Sequence, residues 1–355
     1  MVERVHAWRD SRLVARVVRH VPMLYRAGAD RALDRPAHVR AASGLAWVGG
    51  LLAVVQDDAN FVALVDPATG EAESVALPPG RDERRQFDDS RGNKREKLDL
   101  EAVTSAPGPA GPLLVAIGSG STAHRELVAL IGGFGASATT VAVHRLPRFF
   151  AALREAVHFA GSELNVEGVV HVDGQLRLFG RGNGAARGAL LPENATCDVS
   201  WHELLAHIER PASAAPPAPS GVVQYDLGTL GGVRLSFTDA VLAIPDGDAV
   251  QRTLYTAAAE ASRDAIEDGV VTGSAVGVIE AGVKGEGAGC VARWTELRDA
   301  DGRPLPAKVE GIALLSGERE RAYVVIDRDE HDRPSELCEV ELSGWWFDHE
   351  VLRRS

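Results

Sequence analysis

The stretch Val166-Glu167-Gly168-Val169-Val170 decides the fold of this chain, because its pattern occurs five times. Each copy has a small polar or acidic residue, then glycine or alanine, then an aliphatic residue, and an apolar strand-like run follows. The other copies cover residues 42–46, 100–103, 238–242 and 309–313. Such repetition indicates one supersecondary unit that is used several times and packs against its own copies.

The spacing of the copies indicates which repeat this is. They lie about 60 to 70 residues apart, which leaves room for one four-stranded propeller blade of about 40–50 residues and its loops. The sequence therefore predicts an all-β fold, a five-bladed β-propeller with short helical insertions. A six-bladed propeller is the alternative. We expect residues 1–355 to form one propeller domain.

The last repeat is incomplete, which assigns a role to the N-terminus. Three strands are predicted near the end, at residues 307–315, 321–327 and 336–342, and no fourth strand follows. A propeller has to pair its ends to remove open sheet edges. We expect the N-terminal segment 1–41 to close the last blade. Its alternating residues 12–21 would be the missing strand, with a short helix as the alternative.

Other segments are predicted to lie outside the strands. Residues 148–160 and 200–209 have helical spacing of apolar residues, and Ser200 is a favourable N-cap. Residues 80–97 are highly charged, and we expect a long loop that is partly disordered.

Composition excludes several classes of function. The net charge of -12 argues against nucleic acid as a partner. The N-terminus lacks the apolar core of a signal peptide, and no apolar run is long enough for a membrane span. The three cysteines are far apart, which favours reduced thiols over zinc ligands or a disulfide framework. We expect a cytoplasmic protein without membrane partners.

The five motifs predict a ring of polar side chains. If each motif opens the innermost strand of its blade, five residues converge at the axis: Ser43, Glu101, Glu167, Asp239 and Glu310. Four carboxylates at close range raise one another's pKa. Protonation, neutralisation by Lys97 and Lys308, or a bound cation would relieve this. Calcium suits such a set of hard oxygen ligands. The alternative is a hydrogen-bonded plug of acids and lysines without metal.

The one-per-blade order Ser, Glu, Glu, Asp, Glu resembles that of the calcium-activated nucleotidases (apyrases). The resemblance implies a five-bladed propeller and a central Ca²⁺ held in the order Ser, Glu, Glu, Ser, Glu. Ser43, Glu101, Glu167 and Glu310 would match as ligands, and Asp239 departs from the second serine. The chain is also similar to uncharacterised bacterial propellers that are related to phytase-like esterase domains.

Polar, glycine-rich loops are expected on the face of the ring, after the second strand of each blade. With the ring lysines they supply the predicted substrate-binding residues for a small anionic molecule: Lys97, Arg181, Asn183, Lys308 and Arg328. No phosphate-binding P-loop, nucleophile elbow or histidine zinc site is present in the sequence.

Two functions follow from this pattern. The first is a metal-assisted hydrolase of a phosphorylated or ester small molecule, with Glu101 or Glu167 as the general base. The second is a non-enzymatic ligand-binding or scaffold propeller in which the ring is structural.

Overall fold

The computed structural model describes residues 2–134, 139–243, 250–262, 269–282, 290–315, 318–328 and 330–347. The prediction of an all-β fold is confirmed, because curled β-sheets make up most of this part of the chain. Within the described residues no helix is both long and apolar enough to cross a membrane.

The N-terminal segment contributes four strands to sheets that are formed mainly by later residues. These strands are β1 (Glu3–His6), β2 (Trp8–Arg9), β3 (Leu13–Pro22) and β4 (Leu24–Tyr25). Residues 12–21 were expected to form a strand or a short helix, and the structure has a strand there.

Two four-stranded units follow. Unit one consists of β5 (Ala42–Val48), β6 (Leu51–Gln56), β7 (Phe61–Val65) and β8 (Glu71–Ala76). Unit two consists of β9 (Leu100–Gly108), β10 (Gly111–Gly118), β11 (Leu127–Gly132) and β12 (Thr140–Arg145). Neighbouring strands within each unit are antiparallel.

Unit three carries the helices. The helices α1 (Pro147–Glu155) and α2 (Val157–Ala160) precede β13 (Val166–Val172), β14 (Gln175–Gly180) and β15 (Asn194–Ser200). The helix α3 (Trp201–Glu209) separates β15 from β16 (Ser220–Asp226). The Ser200 side chain accepts a hydrogen bond from the Glu203 backbone N–H, which confirms the predicted N-cap. The third strand of unit three is β15.

The remaining strands form two units in one large sheet. After the short β17 (Thr229–Leu230), unit four consists of β18 (Val233–Ala243), β19 (Val250–Ala261), β20 (Val270–Gly282) and β21 (Val291–Arg298). Unit five consists of β22 (Lys308–Leu314), β23 (Arg321–Asp327) and β24 (Glu336–Gly344), with β3 from the N-terminus as its fourth strand. The strands β21 and β3 join the two units by parallel pairing at two residue pairs.

The first strands of the units contact one another in a cyclic order: β5, β9, β13, β18, β22 and again β5. Five buried apolar clusters follow the same order, each between two consecutive units. The cluster between units five and one contains Ala313 and Tyr323 together with Leu45 and Val54. Burial of apolar surface therefore links every unit to two neighbours.

The first strand of every unit contains a β-bulge, which lies near the strand start in four units and in the middle of β18 in unit four. Pairing with the second strand skips one residue in each case, namely Ser43, Glu101, Glu167, Thr238 and Glu310. A bulge sets two residues opposite one and redirects the extra side chain. The repeated motif of the sequence is therefore the local sequence of a bulge.

The charged segment at residues 80–97, expected to be a partly disordered loop, contains two short 3-10 turns and the buried Phe87. The carboxylate of Asp34 binds it by accepting hydrogen bonds from the backbone N–H groups of Arg85 and Gln86. Its last residue, Lys97, lines a cavity at the bulged ends of the inner strands.

Candidate functional site

A small buried cavity of about 40 Å³ lies at the bulged ends of the inner strands. It has room for a few atoms, on the order of one ion with a water molecule or two. Seven carboxylates and four cationic groups line it: Asp57, Asp99, Glu101, Glu167, Glu260, Glu310 and Asp327, with Lys97, Arg125, Arg181 and Lys308. Ser43, Asn165 and Asn183 supply neutral polar groups.

Eight of the ten residues predicted for the site line this cavity. They are Ser43, Glu101, Glu167 and Glu310 from the predicted metal ligands and Lys97, Arg181, Asn183 and Lys308 from the predicted substrate-binding residues. Asp239 and Arg328 do not line it.

The bulge register explains the position of Asp239. The residue equivalent to the three glutamates in unit four is Thr238, one position earlier in the chain. The Thr238 hydroxyl donates to the Val309 carbonyl oxygen at 2.6 Å, as the Ser43 hydroxyl donates to that of Leu100 at the same distance. Each hydroxyl thus binds the residue before the bulge glutamate of another unit. This corrects the sequence alignment, which placed Asp239 in the ring.

Asp239 occupies the position that is glycine or alanine in the other copies of the motif. Its side chain is fully buried, and its Oδ2 accepts a hydrogen bond from the Ile312 backbone N–H at 2.9 Å. Burial raises the pKa of Asp239 well above its usual value. This carboxylate therefore connects two inner strands below the cavity.

Arg328 lies in a different groove. Its guanidinium donates to Glu336 at 2.7 Å, and it lines a space between β3, β24 and the turn after β21. The neighbouring residue, Asp327, faces the central cavity instead. Successive residues at the end of a strand point in opposite directions, which accounts for this separation.

One side of the cavity is organised by Lys97. Its ammonium lies 2.6 Å from Asp57 and 2.7 Å from Asp99, and Arg125 lies 3.0 Å from Asp99. Burial alone would raise the pKa of Asp99, but Lys97 and Arg125 lower it below its usual value. Oxygen atoms of Asp57, Asp99 and Glu101 lie within 4.8 Å of one another, a separation that would allow a shared metal ion.

The other side is organised by Arg181 and Lys308. Arg181 donates to Glu167 at 3.3 Å and also binds Glu260. The ammonium of Lys308 lies 2.6 Å from Glu310 and 3.7 Å from Glu260. The two cations therefore hold three carboxylates close together.

Several polar atoms at the cavity are left without hydrogen bonds. In the part of the chain that the structure describes, the buried Oε2 of Glu310 and the buried Nε atoms of Arg125 and Arg181 have no hydrogen-bond partner. Buried polar atoms normally find partners, so these mark a place where a further group fits.

Two acids of the cavity have raised pKa values. Burial, followed by the charges of Asp99 and Glu167, raises the pKa of Glu101 well above its usual value. Burial raises the pKa of Glu310 to about 8, although Lys308 and Arg181 oppose the shift. Glu310 therefore favours a proton at neutral pH unless another positive charge enters the cavity, and the pKa of Glu101 is shifted in the same direction.

Sequence reasoning assigned no role to five lining residues of the charged network: Asp57, Asp99, Arg125, Glu260 and Asp327. Asp57, Glu260 and Asp327 lie at the ends of second strands, where the sequence predicted polar loops on the face of the ring. Their positions could therefore have indicated that they belong to the site. Arg125 lies in a short turn between β10 and β11 and carried none.

Comparison with known proteins identifies a family. Residues 38–342 match the model of a family described as Family of unknown function (DUF6929), and the chain belongs to this family. No curated protein matches the chain.

Three solved structures are distantly similar. The glutaminyl cyclase of Myxococcus xanthus is 13% identical, with a TM-score of 0.42, over 97% of this chain and 100% of that one. A GH43 β-1,3-galactosidase is 9% identical, with a TM-score of 0.45, over 94% and 64%. A DUF4221 family member from Bacteroides vulgatus is 9% identical, with a TM-score of 0.37, over 94% and 99%.

Proposed function

We propose that this family member is a closed five-bladed propeller whose central cavity binds one divalent cation for hydrolysis of a small ester. The cyclic contacts of β5, β9, β13, β18 and β22 support five blades. The pairing of β3 with β24 supports closure by the N-terminal segment.

The cation is proposed to lie among Ser43, Glu101, Glu167 and Glu310. The observation that carries the proposal is the buried Oε2 of Glu310, which has no hydrogen-bond partner within the described residues. It belongs to a cavity in which carboxylates outnumber cationic groups, and burial there raises the pKa of both Glu101 and Glu310. Hydroxyl and carboxylate oxygens are the ligands that calcium prefers, and calcium tolerates an irregular arrangement. A cation would replace the protons that these two acids otherwise favour.

The corrected alignment supports calcium rather than a soft metal. With Thr238 in place of Asp239, the bulge residues follow the order hydroxyl, acid, acid, hydroxyl, acid. This order is the one that the resemblance to the calcium-activated nucleotidases implies. Among the described residues, neither a cysteine nor a histidine lines the cavity.

Different residues of the cavity have different roles in the proposed hydrolysis. A bound divalent cation would polarise the phosphoryl or carbonyl oxygen of the substrate. Glu101 takes the proton of the attacking water, whose oxygen bonds to the reacting centre, and the proton passes to the leaving alcohol. Glu167 is held by Asn165, which donates to it at 2.6 Å, and by Arg181, so it suits a fixed ligand better than a base.

A second function is favoured by the ion pairs. Lys97, Arg125, Arg181 and Lys308 are each within 3.4 Å of at least one carboxylate of the cavity. Such a network could hold the inner strands together without metal or chemistry, as in a scaffold or ligand-binding propeller. Buried pairs of this kind are costly to break, whatever their net contribution to stability.

Calcium titration by calorimetry, with the melting temperature measured in calcium and in chelator, separates the two functions. We expect one calcium per chain and a higher melting temperature in calcium. Glu101→Gln and Glu310→Gln should weaken binding at least about tenfold, since each removes an anionic ligand. The exposed Glu71→Gln, which loses only a surface pair with Arg26, is the control.

Hydrolysis is tested with phosphate and carboxylic esters in calcium and in chelator. Turnover that chelator and Glu101→Gln both abolish supports the enzyme. Absence of calcium binding and of turnover, with glutamine variants that change only stability, would establish the structural ring instead.

We also propose a cytoplasmic location. The thiols of Cys197, Cys290 and Cys338 are free, as a reducing compartment would keep them. Alkylation of the protein in intact cells would test this, and oxidised thiols would contradict it.

A further inference from the structure

A groove of about 340 Å³ lies beside the central cavity. Ala41, Asp57, Lys97 and Asp327 line both spaces, so the groove leads to the cavity. Its volume is in the range of small-molecule sites. The cavity at its inner end contains the Oε2 of Glu310, which has no hydrogen-bond partner within the described chain although only 5% of the residue is exposed.

The walls of the groove are acidic. Three positively charged side chains, Arg40, Lys94 and Lys97, face six carboxylates there: Asp57, Asp58, Asp88, Asp89, Asp327 and Glu330. The excess negative charge continues from the central cavity, where carboxylates also outnumber cations. A ligand in the groove therefore meets a negative potential along its length.

The cations of the groove are directed at carboxylates of the protein. Arg40 donates from Nε to Asp58 at 2.8 Å, and from another nitrogen to Asp88 at 3.3 Å. Lys97 binds Asp57 and Asp99. Lysine and arginine have only donors, whereas an ionised carboxylate has about four acceptor sites. What the wall offers to a ligand is therefore mainly acceptors.

The inner end of the groove has neighbouring like charges. Asp57 and Asp58 are consecutive residues that both line the groove, and Arg40 donates to Asp58 while Lys97 binds Asp57. The ring of Phe87, which is 1% exposed, adds an apolar part to the wall. A positive group near Asp57 and Asp58 would relieve the repulsion, and a short apolar body would contact Phe87.

We propose that this groove binds a small molecule with an ammonium group, which lies against Asp57 and Asp58, and an apolar body. The identification of this molecule with the substrate rests on the proposed function. As a substrate site, the groove favours a carboxylic ester with an amino group over a phosphate ester, because a phosphate group would face six carboxylates. The anionic ligand expected from the glycine-rich loops is not what this groove suits.

Calorimetry with butylamine, butanol and butanoate tests the proposal in chelator and at constant ionic strength. The three probes share their chain and differ in the head group. We expect butylamine to bind at least about tenfold more tightly than butanoate, with butanol in between. Asp57→Asn and Asp58→Asn should each weaken butylamine about tenfold. The exposed Asp301→Asn, which pairs only with Arg303, is the matched control and should change nothing.

Two results would overturn the proposal: butanoate binding as tightly as butylamine to the unaltered protein, or folded Asp57→Asn and Asp58→Asn proteins that bind butylamine normally. The comparison of probes needs no variant, so it remains decisive if a variant unfolds. The titration contains no metal and does not measure turnover. If the proposed function is wrong, calcium binding and hydrolysis are not observed but butylamine still binds. If the amine site is wrong, butylamine has no preference over butanoate but calcium binding and hydrolysis remain.

Discussion

At the scale of single residues, the position of a side chain relative to the bulge decides whether it can take part in chemistry. Glu310 is the bulged residue of its strand and lines the cavity. Asp239 lies one residue after the bulge at Thr238, and its oxygen accepts a backbone hydrogen bond instead. A shift of one residue therefore separates a candidate ligand from a structural carboxylate.

Substitution of Asp239 should reveal its raised pKa. The folded state favours the protonated form of Asp239. Its contribution to the free energy of unfolding is therefore present at low pH and is lost as the pH rises above about 3.8, the usual pKa of aspartate. Asparagine mimics the protonated form and keeps an acceptor for Ile312. We expect Asp239→Asn to match the natural protein near pH 4 and to gain stability relative to it as pH rises.

Urea unfolding of both proteins between pH 4 and 8 measures this difference. Asp239→Ala serves as control, because it removes the acceptor and should lose about 1–3 kcal/mol even at low pH. A difference between the asparagine variant and the natural protein that does not change with pH would contradict the raised pKa.

At the scale of the strand, the bulges at Ser43 and Glu167 need a glycine beside them because the inner strands lie close together there. A Cβ atom at Gly44 would lie 2.9 Å from the carbonyl oxygen of Glu101, which belongs to the neighbouring inner strand. At Gly168 it would lie 3.1 Å from the backbone nitrogen of Ala240. The obstacles are backbone atoms, which have little freedom to move.

Gly44→Ala should therefore push β5 away from β9 and disturb Glu101. We expect a loss of about 1–3 kcal/mol from the overpacking and weaker calcium binding than in the natural protein. Unfolding in urea and calcium calorimetry measure the two effects. Gly132→Ala is the control, since its nearest atom is the flexible end of the Leu113 side chain, 2.8 Å away. Equal effects of both substitutions would contradict the proposed close approach.

At the scale of the whole molecule, the chain ends are joined by a buried ionic network. Glu280 binds Arg252 at 2.7 Å and Arg293 at 3.4 Å, and Arg293 also binds Asp10 at 3.1 Å. Arg293 further donates to the carbonyl oxygen of Trp345. The network thus connects unit four with the N-terminal segment and with the residues after β24.

Glu280→Gln should be strongly destabilising, because it removes the negative charge between two fully buried arginines. Loss of one member of a buried ionic group costs about 3–5 kcal/mol. Thermal and urea unfolding measure it, and Glu341→Gln on the exposed side of β24 is expected to stay within about 0.5 kcal/mol. A stability close to that of the control would show that the network contributes little to joining the ends.

Much of this organisation could be predicted from local sequence. The motif around Glu167, with its apolar strands, indicated the all-β fold and the strand starts that carry Ser43, Glu101 and Glu310. A bulge and a strand are determined by a few consecutive residues, so their signal is contained in short stretches of the chain. The charge on these residues likewise predicted an acidic cavity.

Only the tertiary structure showed which residues meet. Three features join residues that are distant in the chain. They are the pairing of Thr238, the contact of Arg181 with Glu260, and the groove between Asp58 and His331. Strand register depends on packing across the whole sheet, and a slip of one residue turns a side chain to the other face. Local patterns carry no information on that choice, which is why Thr238 was overlooked and Asp239 was assigned its place.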